Sequence, residues 1–379
     1  MTGMFPEPRV FYENFVKPGQ PLLLRDALNS IEFPAFQKWT DHYLREKFGE
    51  EMVEVEKGKK EDRDRGMEVM KFKEFIKFYE SADIYMVHTL PASMEGDITV
   101  PVTLQCGGFS KALQDLVVWF SNGGTKSVLH SDYLDNINCL LDGKKDFIFI
   151  DKEYADLVEA NGFDQEKSYS TVDVDRVDFV KFPRLREVPW LKATLQKGDC
   201  IYIPYRWYHQ VNSHESRNLA VNFWFTHLWW MNATHCDGKD LMSGPVPLNQ
   251  LNITSSNEFP RSQFLQSFSK LKKVTVKDFF TELELDGGKR DRQFFNFIDE
   301  NNDGTLTWEE LYTFNIDTVL RRFPDILGLT ENNHYSDYSL EGDTDTDTTG
   351  DDSNITDHDT DADSLEDEDE DVMETKEEL

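Results

Sequence analysis

Positive charge is in short supply in this 379-residue chain: 40 Lys and Arg stand against 72 Asp and Glu, a formal net charge of −32. A surface so poor in cations is a weak match for a phosphate backbone, which argues against nucleic acid as a partner. Cysteine is scarce as well. Cys106, Cys139, Cys200 and Cys236 are scattered, form no Cys-x-x-Cys pair, and are too few to decide a redox compartment or a pairing. No run approaches the ~18 apolar residues that a membrane-crossing helix requires. The opening stretch MTGMFPEPRV has no apolar core segment and already carries Glu7 and Arg9, so it does not read as a signal peptide. No internal repeat is evident.

What is present is sufficient for a core, since 39% of residues are hydrophobic and 13% aromatic. The acidity is unevenly spread. From Glu341 to Leu379 there are 19 acidic residues and one basic residue, Lys376. This stretch has almost no apolar content and is expected to be a disordered acidic tail. The chain closes on KEEL, a variant of a lumenal retrieval tetrapeptide. Three glycosylation sequons occur at Asn232, Asn252 and Asn354. These signals favour the endoplasmic reticulum lumen, with a cytoplasmic location as the alternative. The missing signal peptide would be reconciled with the lumen if the true N-terminus lay upstream.

The texture of the chain changes along its length. Residues 1–82 mix helical spacing (PAFQKWTDHYLREKFG, KFKEFIKFYESA) with short apolar runs such as the strand Pro21 to Leu24. Residues 83–231 are rich in short β segments, among them DLVVWFSN, NINCLLDGKKDFIFID, GDCIYIP and NLAVNFWF, separated by Gly, Asp or Pro turns. Many short strands of this kind predict a mainly β, double-sheet jelly roll. A loop-rich linker is expected over 232–261, a helical module over 262–325 and the tail over 326–379.

Within SVLHSDYLDN, His130 and Asp132 are two apart before an apolar strand. In extended chain, positions i and i+2 share a face, so the imidazole and carboxylate project together. A third ligand is offered by His209 in GDCIYIPYRWYHQV, because a jelly roll can set an early strand beside a late one. Two imidazoles and one carboxylate without thiolate suit non-haem Fe(II) with open positions better than structural zinc. After the Asp142-Gly143 turn, Lys145, Phe147 and Phe149 share one strand face. A lysine among phenylalanines must meet an anion or bear a desolvation cost. By this reading His214 and His227 are surface or core residues, not ligands.

These segments resemble the JmjC-domain oxygenases, cupin-like enzymes built on a double-stranded β-helix that depend on Fe(II) and 2-oxoglutarate. GGTKSVLHSDYLDNINCLLDGKKDFIFI and GDCIYIPYRWYHQV are similar to the two metal-bearing segments of that family, and NLAVNFWF to its closing strand. The resemblance covers roughly residues 8 to 230 and is nearest to the small protein-hydroxylase branch. It implies that His130, Asp132 and His209 hold iron. It implies that Lys145 and Ser127 bind the distal carboxylate of 2-oxoglutarate, with Asn136 and Asn222 lining the co-substrate pocket. Many relatives have Thr at the Ser127 position, and Ser keeps the hydroxyl. The implied reaction uses O2 and hydroxylates a protein or peptide side chain.

A second metal motif lies outside that region. DENNDGTLTWEE, Asp299 to Glu310, fits an EF-hand loop. Asp299, Asn301 and Asp303 occupy positions 1, 3 and 5, Gly304 the sharp turn at 6, Thr305 the carbonyl position 7 and Glu310 the bidentate position 12. Calcium is therefore an expected ligand. A partner helix-loop-helix is sought within KKVTVKDFFTELELDGG or in another chain. The leading expectation is a 2-oxoglutarate-dependent dioxygenase with a calcium module. The rivals are a non-catalytic lumenal calcium-binding protein on the same scaffold, and a demethylase or RNA hydroxylase of the same fold.

Overall fold

A computed structural model describes residues 3–58, 67–164, 169–214, 216–239, 241, 244–251, 257–324 and 326. The acidic tail, KEEL and the sequons at Asn252 and Asn354 lie outside the described residues.

Two antiparallel sheets form the body, as the sequence predicts. The larger contains β1 (Leu22–Leu24), β2 (Met52–Lys57), β3 (Met67–Lys71), β4 (Ile84–Thr89), β5 (Leu113–Ser121), β7 (Asp135–Asp142), β12 (Cys200–Ile203) and β14 (Asn218–Phe225). Its spatial order is β1-β12-β7-β14-β5-β4-β2-β3. The smaller contains β6 (Lys126–Ser131), β8 (Lys144–Ile150), β9 (Phe163–Asp164), β10 (Tyr169–Ser170), β11 (Leu191–Gln196) and β13 (Tyr208–Ser213), in the order β11-β8-β13-β6-β10-β9. Strands β1, β2 and β3 extend the large sheet back across residue 82, so the sheet draws on both sides of that point.

Period-two alternation sorts the side chains into layers. On β14, Leu219, Val221, Phe223 and Phe225 enter the core beneath the N-terminal helices, whereas Ala220, Asn222 and Trp224 face the space between the sheets. On β8, Ile148 and Ile150 face outward under the 151–190 excursion, and Phe147 and Phe149 stack inward with centroids 5.6 Å apart. Helix α1 (Asp41–Phe48) begins where Thr40 caps it, accepting from the Tyr43 amide, so the segment read as one helix is two. Helix α2 (Phe72–Phe78) lays Phe72 and Phe75 on Phe120 of β5.

The four cysteines form two disulfides, Cys106–Cys236 and Cys139–Cys200. The second joins directly opposed residues of β7 and β12, a pairing that linear spacing does not reveal.

Beyond β14 lies a helical module with its own phenylalanine-rich core. It comprises α3 (Glu258–Gln266), α4 (Val276–Glu282), α5 (Lys289–Ile298), α6 (Trp308–Thr313) and α7 (Ile316–Arg322). Helix α3 opens inside the stretch expected to be linker. Between α3 and α4 runs β15 (Val274–Thr275), and between α5 and α6 runs β16 (Thr305–Leu306). The two pair antiparallel, Val274 opposite Leu306. No described helix is long and apolar enough to cross a membrane.

Candidate metal centre and its pocket

The smaller sheet brings the three expected ligands together. Antiparallel pairing of β13 with β6 sets His209 directly opposite His130, and their ring centroids are 4.2 Å apart. Asp132 follows β6 in the turn to β7. Its carboxylate oxygens lie 3.8 Å from Nε2 of His130 and 3.6 Å from Nε2 of His209. Among the described residues this is the one group of three or more His, Cys, Asp or Glu whose ligand atoms all fall within 4.8 Å of one another.

The imidazoles are oriented by their far nitrogens. Nδ1 of His130 is 2.7 Å from the Val128 carbonyl, and Nδ1 of His209 is 3.1 Å from the Trp207 carbonyl. Each Nδ1–H donates to a carbonyl, which leaves the Nε2 lone pairs aimed at the shared centre. His209 is buried and His130 and Asp132 are partly open, so the centre sits at the inner end of an accessible pocket. The donor set of two neutral imidazoles, one carboxylate and no thiolate fits a divalent iron.

Opposite walls of the pocket come from opposite sheets. Ser127, Lys145, Phe147 and Val211 belong to the ligand-bearing sheet, and Asn136, Asn138, Asn222 and Trp224 to the larger one. All four residues assigned to the co-substrate by resemblance therefore line one cavity with the triad. Lys145 is 6% exposed, and Nζ donates to Ser213 Oγ over 2.9 Å. Burial pushes its pKa down from 10.5 to about 8, with no carboxylate among the described residues to offset the cost. A buried ammonium with one neutral partner has the chemistry of an anion site awaiting its anion.

Asn138 donates to Asn222 across adjacent strands at 2.5 Å, whereas the carbonyl oxygens of Asn136 and Asn138 and the indole nitrogens of Trp119 and Trp224 are buried without partners among the described residues. Buried polar groups are almost always satisfied, so a polar ligand or water is expected at this wall. Sequence reasoning missed Ser213, Asn138, Trp119 and Trp224. Two of them had a signal: Ser213 is four residues beyond His209 and Asn138 two beyond Asn136, on the same strand faces. His214 and His227 stay outside the centre, paired with Asp146 and Asp135 respectively.

In the module, the loop from Asp299 to Glu310 lies between α5 and α6. Asp299 and Glu310 are 4% and 7% exposed. They accept from main-chain amides of the loop, Asp299 from Gly304 at 2.9 Å and Glu310 from Thr307 at 2.9 Å. Asn301 accepts from the Asp303 amide, and Asp303 from the Thr305 amide and hydroxyl. The carboxylates of Asp299, Asp303 and Glu310 do not draw within the 4.8 Å that marks the histidine centre. The strand opposing β16 starts at Val274, so the partner segment includes α3 and the lysine-bearing stretch Lys270, Lys272 and Lys273. It reaches further upstream than the sequence suggested.

Comparison with known proteins matches residues 8–229 to the cupin-like domain family. Among curated proteins the chain is 27% identical to Jumonji C domain-containing protein 5 of Drosophila melanogaster, over 58% of each chain. It is 28% identical to Lysine-specific demethylase JMJ30 of Arabidopsis thaliana, over 57% of this chain and 52% of that protein. It is 23% identical to the human Bifunctional peptidase and (3S)-lysyl hydroxylase JMJD7, over 58% of this chain and 81% of that protein. The chain thus spans little more than half the length of the first two.

Proposed function

The chain belongs to the cupin-like JmjC family of oxygenases, and from that premise we propose that it is an Fe(II)- and 2-oxoglutarate-dependent dioxygenase that hydroxylates a protein side chain. The observation that carries the reading is the convergence of His130, Asp132 and His209 at one end of a pocket whose wall holds the buried Lys145 ammonium. Iron and 2-oxoglutarate, when bound, supply the oxidising power by oxidative decarboxylation with O2, leaving one oxygen atom for a C–H bond. The protein's own contribution is binding and exclusion of water. The triad of His130, Asp132 and His209 would hold the iron. Lys145, with the hydroxyls of Ser213 and Ser127, would hold the distal carboxylate as a charge-assisted pair. Phe147, Ile203 and Val211 keep that pair in a low-dielectric setting where it is strongest. Asn136 and Asn222 line the opposite wall.

Demethylation is the second reading, supported by the likeness to relatives named as lysine-specific demethylases, such as the Arabidopsis protein. The two are separated by mass spectrometry of peptide libraries incubated with the loaded enzyme. Hydroxylation adds one oxygen atom to an unmodified peptide, whereas demethylation removes a methyl group from a methylated one and releases formaldehyde. Only the second outcome would displace the hydroxylase reading.

Calcium is proposed at Asp299, Asn301, Asp303, Thr305 and Glu310, an EF-hand loop in residue type and spacing. Support comes from the burial of Asp299 and Glu310 and from the β15–β16 pairing, which joins the loop to a second helix-loop-helix. The lysines of the second loop make it the silent member of the pair. A secretory lumen is the proposed compartment, supported by the two disulfides and the Asn232 sequon.

A further inference from the structure

Asp135 is the most deeply buried carboxylate near the metal centre, with 0% exposure. It ligates nothing in the reading above, and buried carboxylates are costly unless fully hydrogen-bonded. Its partners come from two separate parts of the chain. One oxygen accepts from the Tyr202 hydroxyl at 2.5 Å and the Tyr205 amide at 2.8 Å; the other lies 2.7 Å from Nδ1 of His227.

These bonds join the two turns that carry the metal ligands. Asp132 sits three residues before Asp135, and Tyr205 lies in the turn that launches β13 and His209. A second link runs alongside: the Arg206 amide donates to the Asp132 carbonyl at 2.9 Å. Arg206 makes that bond from a left-handed backbone conformation, φ 62°, which a non-glycine residue holds only when its surroundings enforce it. Two adjacent amides of one turn, at 205 and 206, therefore grip the other turn at both ends.

His227 is itself held by the helical module. Its ring stacks on Tyr205, with centroids 5.1 Å apart, and meets the edge of Trp229 at 4.4 Å. Its carbonyl accepts from Ser262 of α3 at 2.9 Å, the Trp229 indole donates to the Ser262 carbonyl at 2.8 Å, and the Tyr205 hydroxyl bonds Gln266 at 3.2 Å.

We propose that Asp135, oriented by His227 and through it by helix α3, is a positioning residue that fixes Asp132 against His209, so that the C-terminal module sets the geometry of the metal site. This inference rests on the proposed iron reading. Its consequence is specific: removing the His227 donor loosens the metal without touching a ligand.

The test is Co(II) titration of the full-length protein under anaerobic conditions, read by the visible absorption of the bound ion, with thermal melts and far-UV circular dichroism on the same samples. His227→Phe keeps the ring but not the donor and is expected to bind Co(II) about 10–100-fold more weakly, the range usual for partners of metal ligands, with an altered spectrum. His227→Asn returns a donor at the Nδ1 position and is expected to recover most of the affinity. Ser262→Ala, at the module, is expected to weaken binding in the same direction. Asp135→Asn is expected to weaken Co(II) binding in the same direction; should it fail to fold, the two His227 variants decide alone. Wild-type affinity and spectrum in a folded His227→Phe protein would overturn the positioning role while leaving the iron reading intact. Absence of Co(II) binding to the wild type would overturn both.

Discussion

Lys145 of β8 and Ser213 of β13 stand opposite each other in register, joined by a 2.9 Å hydrogen bond inside the pocket that holds the histidine–aspartate centre. Among the described residues the ammonium has no carboxylate partner to offset its burial, and its counterpart is expected to come from a ligand. Lys145→Met is expected to weaken 2-oxoglutarate binding about 10–100-fold, the worth of one buried charged hydrogen bond. The ligand-free variant should melt no lower than wild type, because a buried charge is replaced by an apolar chain of similar length. Calorimetric titration and a thermal melt check both halves.

The same lysine gives a pH dependence with a fixed sign. Its folded-state pKa is lowered from 10.5 to about 8, so the cation is present below about pH 8 and is lost above it. Affinity for 2-oxoglutarate should hold below that point and decline as pH rises through it. For the ligand-free fold the sign is reversed. Between about pH 8 and 10.5 the unfolded chain binds more protons than the folded one, so the cost of burying Lys145 is relieved as pH rises across that window. Isothermal titration at a series of pH values, with Lys145→Met as the flat control, measures the first effect.

Calcium is expected to raise the melting temperature of the full chain. Ligand present at 100 times its dissociation constant adds about 2.7 kcal/mol to the folded state. Glu310→Gln removes the bidentate position and should abolish the shift. An equal calcium shift in that variant would remove Asp299–Glu310 as the site.

Thiol titration of the denatured protein, without reductant, should find no free cysteine. Replacing Cys139 and Cys200 together by Ala is expected to cost about 4 kcal/mol on the chain-entropy account of a loop this long, read by denaturant titration. Full thiol reactivity in protein isolated from its native compartment would contradict the proposed lumen.

Much of the site was legible because β structure makes short-range spacing meaningful. Lys145 shares a face with Phe147 and Phe149 by alternation, and the two-residue spacing pointed to His130 with Asp132 even though Asp132 lies just past the end of β6. His209 was reachable only through its residue type and the expected closeness of an early and a late strand, and the β6–β13 pairing provides it. The Asp135–His227 bond was not legible: 92 residues separate its ends, and nothing local marks His227 as the partner of a particular carboxylate. The cysteine pairs were hidden for the same reason. The 34–48 helix was read too long because Thr40 looks like an ordinary helical residue until its hydroxyl is seen capping Tyr43.

The most direct measurement is anaerobic absorption spectroscopy of the full-length protein with Fe(II) followed by 2-oxoglutarate, beside His130→Ala. A visible charge-transfer band that forms in the wild type and is missing from the variant is the expected result. No band in either protein, with both folded and calcium still bound, would contradict the oxygenase reading and leave the C-terminal loop as the one metal site.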